Sequence, residues 1–388
     1  MQTSPTDPNM TQMPSSIRRS TSFVHLQGAA PTECSIRNLL VARLGGFAIW
    51  GGIVVWGLVF ASTLAWSADG GNADRVTEAA TEANTTDSVP ADQTNATVEG
   101  AAPSVEVRQF LDLRYSDADG TAGLFDLHFP VSERHTISAN DAGDIIVEGD
   151  PRPAVLMIHG GGWAIGDKWT LRTYCDRLAQ LGFVVVNMNY RLAPQHQFPR
   201  QVDDVRQVLL QLVEHSDDWK IDLSRVGMFG YSAGGHLSAL IGVLGNEERS
   251  TQMLASEWRR DDPRWELLPP IAAVCAGGPP CDFRIVPDDN AGLSYFLGGT
   301  PREVPNNYLG ASPTAHVSPG DPPMQLIHGE KDLLVPIENS EKFAAALMDA
   351  GVAVSLTVVE NQGHMMTLFH PKTKQQIKDF FIKQLLQQ

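Results

Sequence analysis

The chain has 388 residues, enough for one large domain or two ordinary ones, with the hydrophobic and aromatic content of a globular protein. Its net charge of -16 leaves no basic stripe to neutralise phosphates, which argues against a nucleic-acid partner. The four cysteines, Cys34, Cys175, Cys275 and Cys281, form no C-x-x-C pair, so there is no zinc or redox motif. Cys275 and Cys281 read most plainly as two free buried thiols, a bridge between them being the alternative outside the cytoplasm.

Residues 1–43 form a Ser/Thr/Pro-rich leader carrying Arg18, Arg19, Arg37 and Arg43. Residues 44–68 are free of charge and long enough to span a bilayer as a helix. Two readings compete: a signal peptide cut near Ala65 or Ser67, or an uncleaved signal anchor. Either predicts export, with membrane anchoring by residues 44–68 in the second. Residues 69–103 hold almost no large apolar side chain and are expected to be a disordered linker, because such a stretch cannot offset its ordering entropy.

A folded domain is expected over 104–388. Val105 to Tyr115 and Leu124 to Phe129 read as strands, and 131–152 as a polar loop. Pro153 to Ile158 is a continuous apolar run, as in a strand buried on both faces. Arg172 to Leu181 predicts a helix ended by Gly182, and Phe183 to Met188 another buried strand. Phe198-Pro199 opens an amphipathic helix through Val202, Val205, Val208, Leu209 and Leu212. Strands follow at Ile271 to Ala276, Met324 to Ile327 and Val352 to Val359, with helices at Ile337 to Ala350 and Thr373 to Leu386. Buried strands alternating with amphipathic helices predict an α/β fold with a mostly parallel central sheet and helices on both faces. In that architecture ligands collect at the carboxyl ends of the strands.

Four motifs fall at such ends. Val226 to His236 reads as strand, glycine-flanked Ser232, then helix: a G-x-S-x-G turn that lifts the hydroxyl to a helix N-terminus beside the free N–H of Ala233. His159-Gly160-Gly161-Gly162-Trp163 follows the 153–158 strand, and its glycines let backbone amides approach a developing oxyanion. Nucleotide-binding spacings are absent from it. His159 itself reads as a scaffold residue at the strand end. Leu326 to Pro336 carries the acids Glu330 and Asp332, either able to orient a base. Gly363-His364, expected in a loop, completes the order Ser, Asp, His; His370 ranks below it because it precedes Pro371 at a helix entry.

These pieces, with Tyr190-Arg191-Leu192-Ala193-Pro194, resemble the α/β-hydrolase fold of the hormone-sensitive-lipase-like carboxylesterases, close to bacterial esterases of plant cell-wall esters. The resemblance covers about 104–388. It implies Ser232 as nucleophile, His364 as base, Asp332 as orienting acid, and the N–H groups of Gly161, Gly162 and Ala233 as an oxyanion hole. It places Arg191, paired with a carboxylate, in the scaffold, and with the linker standing where relatives carry an N-terminal cap, no such cap is expected.

The expected activity is serine-dependent hydrolysis of short-chain or carbohydrate-linked esters through an acyl-enzyme, with no cofactor and no metal. Alternatives are an aminopeptidase or arylformamidase on the same fold, or an extracellular binding protein without catalysis. Asn246 to Pro270 is a polar insertion after the nucleophile helix, read equally as a cover over the site or as a solvated excursion.

Overall fold

The computed structural model describes residues 105–140 and 143–387. The expected leader, charge-free segment and linker lie outside the described residues. Among the described residues, no helix is long and apolar enough to cross a membrane.

The described residues form ten strands: β1 (Val107–Arg114), β2 (Leu124–Pro130), β3 (Thr136–Ala139), β4 (Ile145–Glu148), β5 (Arg152–Ile158), β6 (Val184–Met188), β7 (Ile221–Tyr231), β8 (Ala273–Gly277), β9 (Met324–Gly329) and β10 (Val354–Val359). Eight of them make one sheet in the order β1-β2-β6-β5-β7-β8-β9-β10. The β1–β2 and β2–β6 pairs are antiparallel, and every later pair is parallel. The α/β fold with a mostly parallel sheet is therefore as expected. Its principal helices are α1 (Arg172–Gln180), α2 (Arg200–Glu214), α3 (Ala233–Leu244), α4 (Glu338–Asp349), α5 (His364–Phe369) and α6 (Pro371–Phe381).

Strand periodicity divides the interior in two. Along β5, Ala154, Leu156 and Ile158 join a core that includes Val202, Val205 and Leu209 of α2 and Leu237 and Leu240 of α3. The intervening Val155 and Met157 join the opposite core, with Cys175 and Leu178 of α1 and Ile377 and Phe381 of α6. A strand covered on both faces has no reason to alternate polar and apolar residues, which is why the Pro153–Ile158 run is continuous. Every residue of α3 is buried, matching its lack of a polar face.

The expectation of a polar loop over 131–152 is corrected. That stretch contains the β3–β4 hairpin, paired from Thr136 opposite Glu148 to Ala139 opposite Ile145. Ile145 and Val147 point into the core while their neighbours face out, an alternation too short to stand out in sequence. The bridge between Cys275 and Cys281 is absent: both are free, fully buried thiols. The insertion also resolves. Trp258 and Trp265 pack edge to face at 5.0 Å, and the Arg206 guanidinium of α2 lies 4.8 Å over Trp265. Asp203 of α2 binds Arg206 and accepts from Ser256 Oγ and the Glu257 N–H. An aromatic and ionic anchor thus seats this segment on α2.

Candidate active site

Ser232 sits between β7 and α3 with φ 56 and ψ -119. A non-glycine residue in this region costs about 1–2 kcal/mol and persists only where its surroundings over-determine it. Here two close backbone approaches do so. A Cβ on Gly230 would stand 2.1 Å from the Gly234 carbonyl oxygen, and one on Gly234 would stand 2.0 Å from that of Ile158. The glycines flanking the serine are thus required by the tightness of the turn. The Ser232 N–H donates to Gly277 O at 2.7 Å, tying the turn to the end of β8.

The loop after β5 runs against this turn: a Cβ on Gly160 would stand 2.7 Å from Tyr231 O and 3.3 Å from Ser232 Cβ. Gly161 and Gly162 have φ of 120 and 58, and Trp163 follows at 59. A Cβ on Gly161 would meet Ile165 O at 2.0 Å, whereas one on Gly162 would meet nothing nearer than Tyr295 Oη at 3.5 Å. Among the described residues, the amides of Gly161, Gly162 and Ala233 donate to no protein acceptor. Ala233 is the first residue of α3, where an N–H has no intrahelical acceptor. These three unclaimed donors lie on the two segments flanking the Ser232 side chain.

Asp332 and His364 are brought together. Asp332 Oδ2 lies 2.5 Å from His364 Nδ1, and both side chains are buried. The other oxygen, Oδ1, accepts from the N–H groups of Leu334 and Val335 at 3.0 and 2.9 Å. Burial works to raise the Asp332 pKa. Hydrogen bonds from His328 and His364, the His364 charge and the backbone outweigh it and hold the carboxyl well below its ordinary range. The rival acid Glu330 is exposed and accepts from the Asn361 N–H, away from the imidazole.

His364 is the first residue of α5, a correction to its expected place in a loop. Its Nε2 is buried and without a hydrogen-bond partner, and no hydrogen bond joins it to Ser232 Oγ. The serine and imidazole flank the same strand end: Gly277 accepts from Ser232, and a Cβ on Gly278 would lie 3.0 Å from His364 Cε1. Catalytic hydrogen bonds are often loose before substrate arrives. An orphaned buried ring nitrogen costs free energy, and here it is the atom a proton-accepting role requires.

The remaining candidates are structural. His159 stacks on Tyr190 at 4.3 Å, and burial pushes its pKa down to about 4. Arg191 holds Asp204 with Nε at 2.9 Å and Nη2 at 2.8 Å, a two-pronged pair in the scaffold. His370 caps α6 by accepting from the Lys372 N–H.

Several residues had no role in the sequence reading. His328 Nε2 donates to Val335 O at 2.8 Å and stands 3.3 Å from Asp332 Oδ2, bracing the loop that holds the acid. Tyr231 Oη donates to the His364 carbonyl at 2.5 Å, so the residue before the serine holds the backbone of the base. His236 and Tyr295 bind the oxyanion loop. For His236 the signal was a lone imidazole in an otherwise apolar helix, since a buried polar group needs partners.

Similarity to known proteins agrees with this geometry. The chain is 30% identical over 202 residues to LipM of Mycobacterium tuberculosis, described as a probable carboxylic ester hydrolase, and 28% identical over 204 residues to esterase LipC of the same organism. These matches cover 50% and 51% of this chain but 44% and 48% of the relatives, so the chain spans about half their length. A truncated carbohydrate esterase from gut microbiota shares the fold with a TM-score of 0.60 at 22% identity, over 74% of this chain and all of that one. Thermogutta terrifontis esterase 2 does so with a TM-score of 0.53 at 22% identity, over 72% of this chain and 92% of that one. The BD-FAE profile matches residues 146–347, more than half of the chain, which therefore belongs to the BD-FAE family of α/β-hydrolase esterases.

Proposed function

We propose that this protein is a serine carboxylesterase acting on short-chain or carbohydrate-linked esters. The observation that carries the reading is the His364 imidazole, bonded through Nδ1 to a carboxylate kept ionised and presenting an unpartnered Nε2 at the strand end where Ser232 stands.

Because Nδ1 donates to Asp332, the neutral imidazole must carry its proton there and accept at Nε2. Ser232 Oγ attacks the ester carbonyl as His364 Nε2 takes its proton. Negative charge then gathers on the carbonyl oxygen, where the amides of Gly161, Gly162 and Ala233 stabilise it. Collapse of the intermediate expels the alcohol, which leaves with the proton from His364. Water, deprotonated by the same nitrogen, cleaves the acyl-enzyme and restores Ser232. Asp332 stays ionised throughout and stabilises the imidazolium in each half-reaction.

We further propose that the domain works outside the cytoplasm, secreted or held at a membrane through residues 44–68, with 69–103 as its tether. The support is the charge-free segment behind a basic leader. A carbohydrate ester as substrate is supported by the likeness to a gut carbohydrate esterase. Ser232→Ala is expected to abolish hydrolysis of p-nitrophenyl acetate without unfolding the protein, and retained turnover would remove the assignment. A series of p-nitrophenyl acyl lengths set beside acetylated xylan assigns the substrate class: activity confined to long acyl chains contradicts it.

A further inference from the structure

Trp163 closes the oxyanion loop with φ 59, a left-handed conformation that a bulky aromatic residue adopts only under constraint. Its indole stacks on Phe296 with centroids 4.1 Å apart and planes 6° from parallel, and meets Phe283 edge to face at 5.9 Å. Those contacts fill space but do not fix rotation in the ring plane. One polar contact does: the indole Nε1–H donates to His236 Nδ1 at 3.2 Å.

His236 is fully buried and uses both ring nitrogens. The indole nitrogen can only donate, so Nδ1 must accept. The ring proton therefore sits on Nε2, which donates to Ala311 O at 2.7 Å. One tautomer satisfies both partners. A proton added at Nδ1 would face the indole N–H, and burial pushes the pKa down to about 4, so the imidazole stays neutral.

The position of this imidazole gives it its consequence. His236 lies in the first turn of α3, and its own N–H donates to Ser232 O at 2.9 Å. The helix it stands on supplies the Ala233 amide, and the loop it grips supplies those of Gly161 and Gly162. We propose that His236 is a positioning residue that holds the two halves of the oxyanion hole in register by accepting the Trp163 indole proton. The inference rests on the esterase reading for its kinetic arm and on the structure alone for its second arm. Donors aimed at a developing oxyanion must be held within a fraction of an ångström, so a slack loop lowers turnover more than ground-state binding.

The test compares four variants in the full protein. His236→Leu removes the acceptor, Trp163→Phe removes the donor but keeps a ring, and the double variant removes both. His236→Asn keeps an acceptor oxygen near the Nδ1 position. With p-nitrophenyl acetate, each of the first two should lower kcat about 10- to 100-fold while KM moves less than about threefold. The double variant should be no more than about threefold below the weaker single, and His236→Asn should recover most of the loss. Wild-type kcat in His236→Leu, or losses that multiply in the double variant, would overturn the proposal.

Hydrogen exchange supplies the arm independent of activity. The N–H groups of Ala164 and Ile165 donate to Gly161 O at 3.2 and 3.1 Å and so report the loop directly. Their exchange should quicken at least about tenfold in His236→Leu and Trp163→Phe. Unchanged exchange would overturn the proposal. Should the wild type hydrolyse no ester, the esterase reading falls while exchange still decides the role of His236. Should His236→Leu fail to fold, Trp163→Phe, which removes the indole N–H and narrows the ring, gives the same decision when read against the His236→Asn rescue.

Discussion

Replacing Asp332 by asparagine separates two uses of one carboxylate. Oδ1 accepts two backbone N–H groups from Leu334 and Val335, while Oδ2 faces His364 Nδ1 at 2.5 Å and His328 Nε2 at 3.3 Å. An amide satisfies the backbone donors only by turning its oxygen to them, which aims its NH2 at the two imidazoles. His364 Nδ1 must then accept, the ring proton moves to Nε2, and the nitrogen that should take the serine proton is blocked. The expected fall in kcat is about 10,000-fold, or ~5 kcal/mol of transition-state stabilisation. Stability should fall by only ~2–4 kcal/mol, the worth of one or two charge-assisted bonds, so the variant still folds. Steady-state kinetics on p-nitrophenyl acetate with a parallel thermal melt reads both quantities. Glu330→Gln is the control, with less than about twofold change, because that side chain bonds only the exposed Asn361 turn. Asp332→Asn retaining turnover within about tenfold of wild type, or Glu330→Gln matching its loss, would refute the assignment.

Tyr231→Phe deletes the hydroxyl that holds the His364 carbonyl and should lower kcat about tenfold with little change in KM; steady-state kinetics checks it. Gly161→Ala, whose Cβ would meet Ile165 O at 2.0 Å, should destabilise the fold by ~2 kcal/mol or more and abolish activity together, as a denaturant titration with parallel assays would show. Acid lability should follow from two buried imidazoles. His159 and His236 have folded pKa values of about 4, below the unfolded 6.5, so between those limits the unfolded chain binds more protons and stability falls as pH drops. Moving from pH 7.5 to pH 5 costs ~2 kcal/mol for each, and Asp321, raised to about 6, returns ~1 kcal/mol because its protonation favours the folded state. These three groups together cost ~3 kcal/mol, which by itself should lower Tm by roughly 5–10 °C; burial also lowers the pKa values of His128, His196 and His316 and so acts in the same direction, and an unchanged Tm would contradict the burial argument.

The parts of this molecule legible in sequence are those where the geometry narrows the choice to one residue type or to one chemical class of side chain. The Pro153–Ile158 run announced a strand covered on both faces, and Gly230 and Gly234 announced a turn whose carbonyls leave no room for a Cβ. From the residues alone the acid was legible only as a pair, and it was the family resemblance that singled out Asp332. Glu330 and Asp332 differ by two positions in one loop, and the choice between them is made by hydrogen bonds from the Leu334 and Val335 amides and from His328, contacts that the order of residues in the motif does not reveal. The β3–β4 hairpin stayed hidden because four-residue strands with one buried face give too few alternations to separate from a loop. His236 was visible as a polar residue on a buried helix, but its partners, Trp163 and Ala311, come from segments more than seventy residues away on either side.

Every step of the proposed hydrolysis depends on Ser232 being an activated nucleophile. Reaction with a fluorophosphonate, followed by peptide mass mapping, measures this directly. The prediction is one adduct per chain, on the peptide carrying Ser232, lost in Ser232→Ala and slowed at least about a thousandfold in Asp332→Asn. Absence of an adduct, or an adduct on another residue that survives Ser232→Ala, would contradict it.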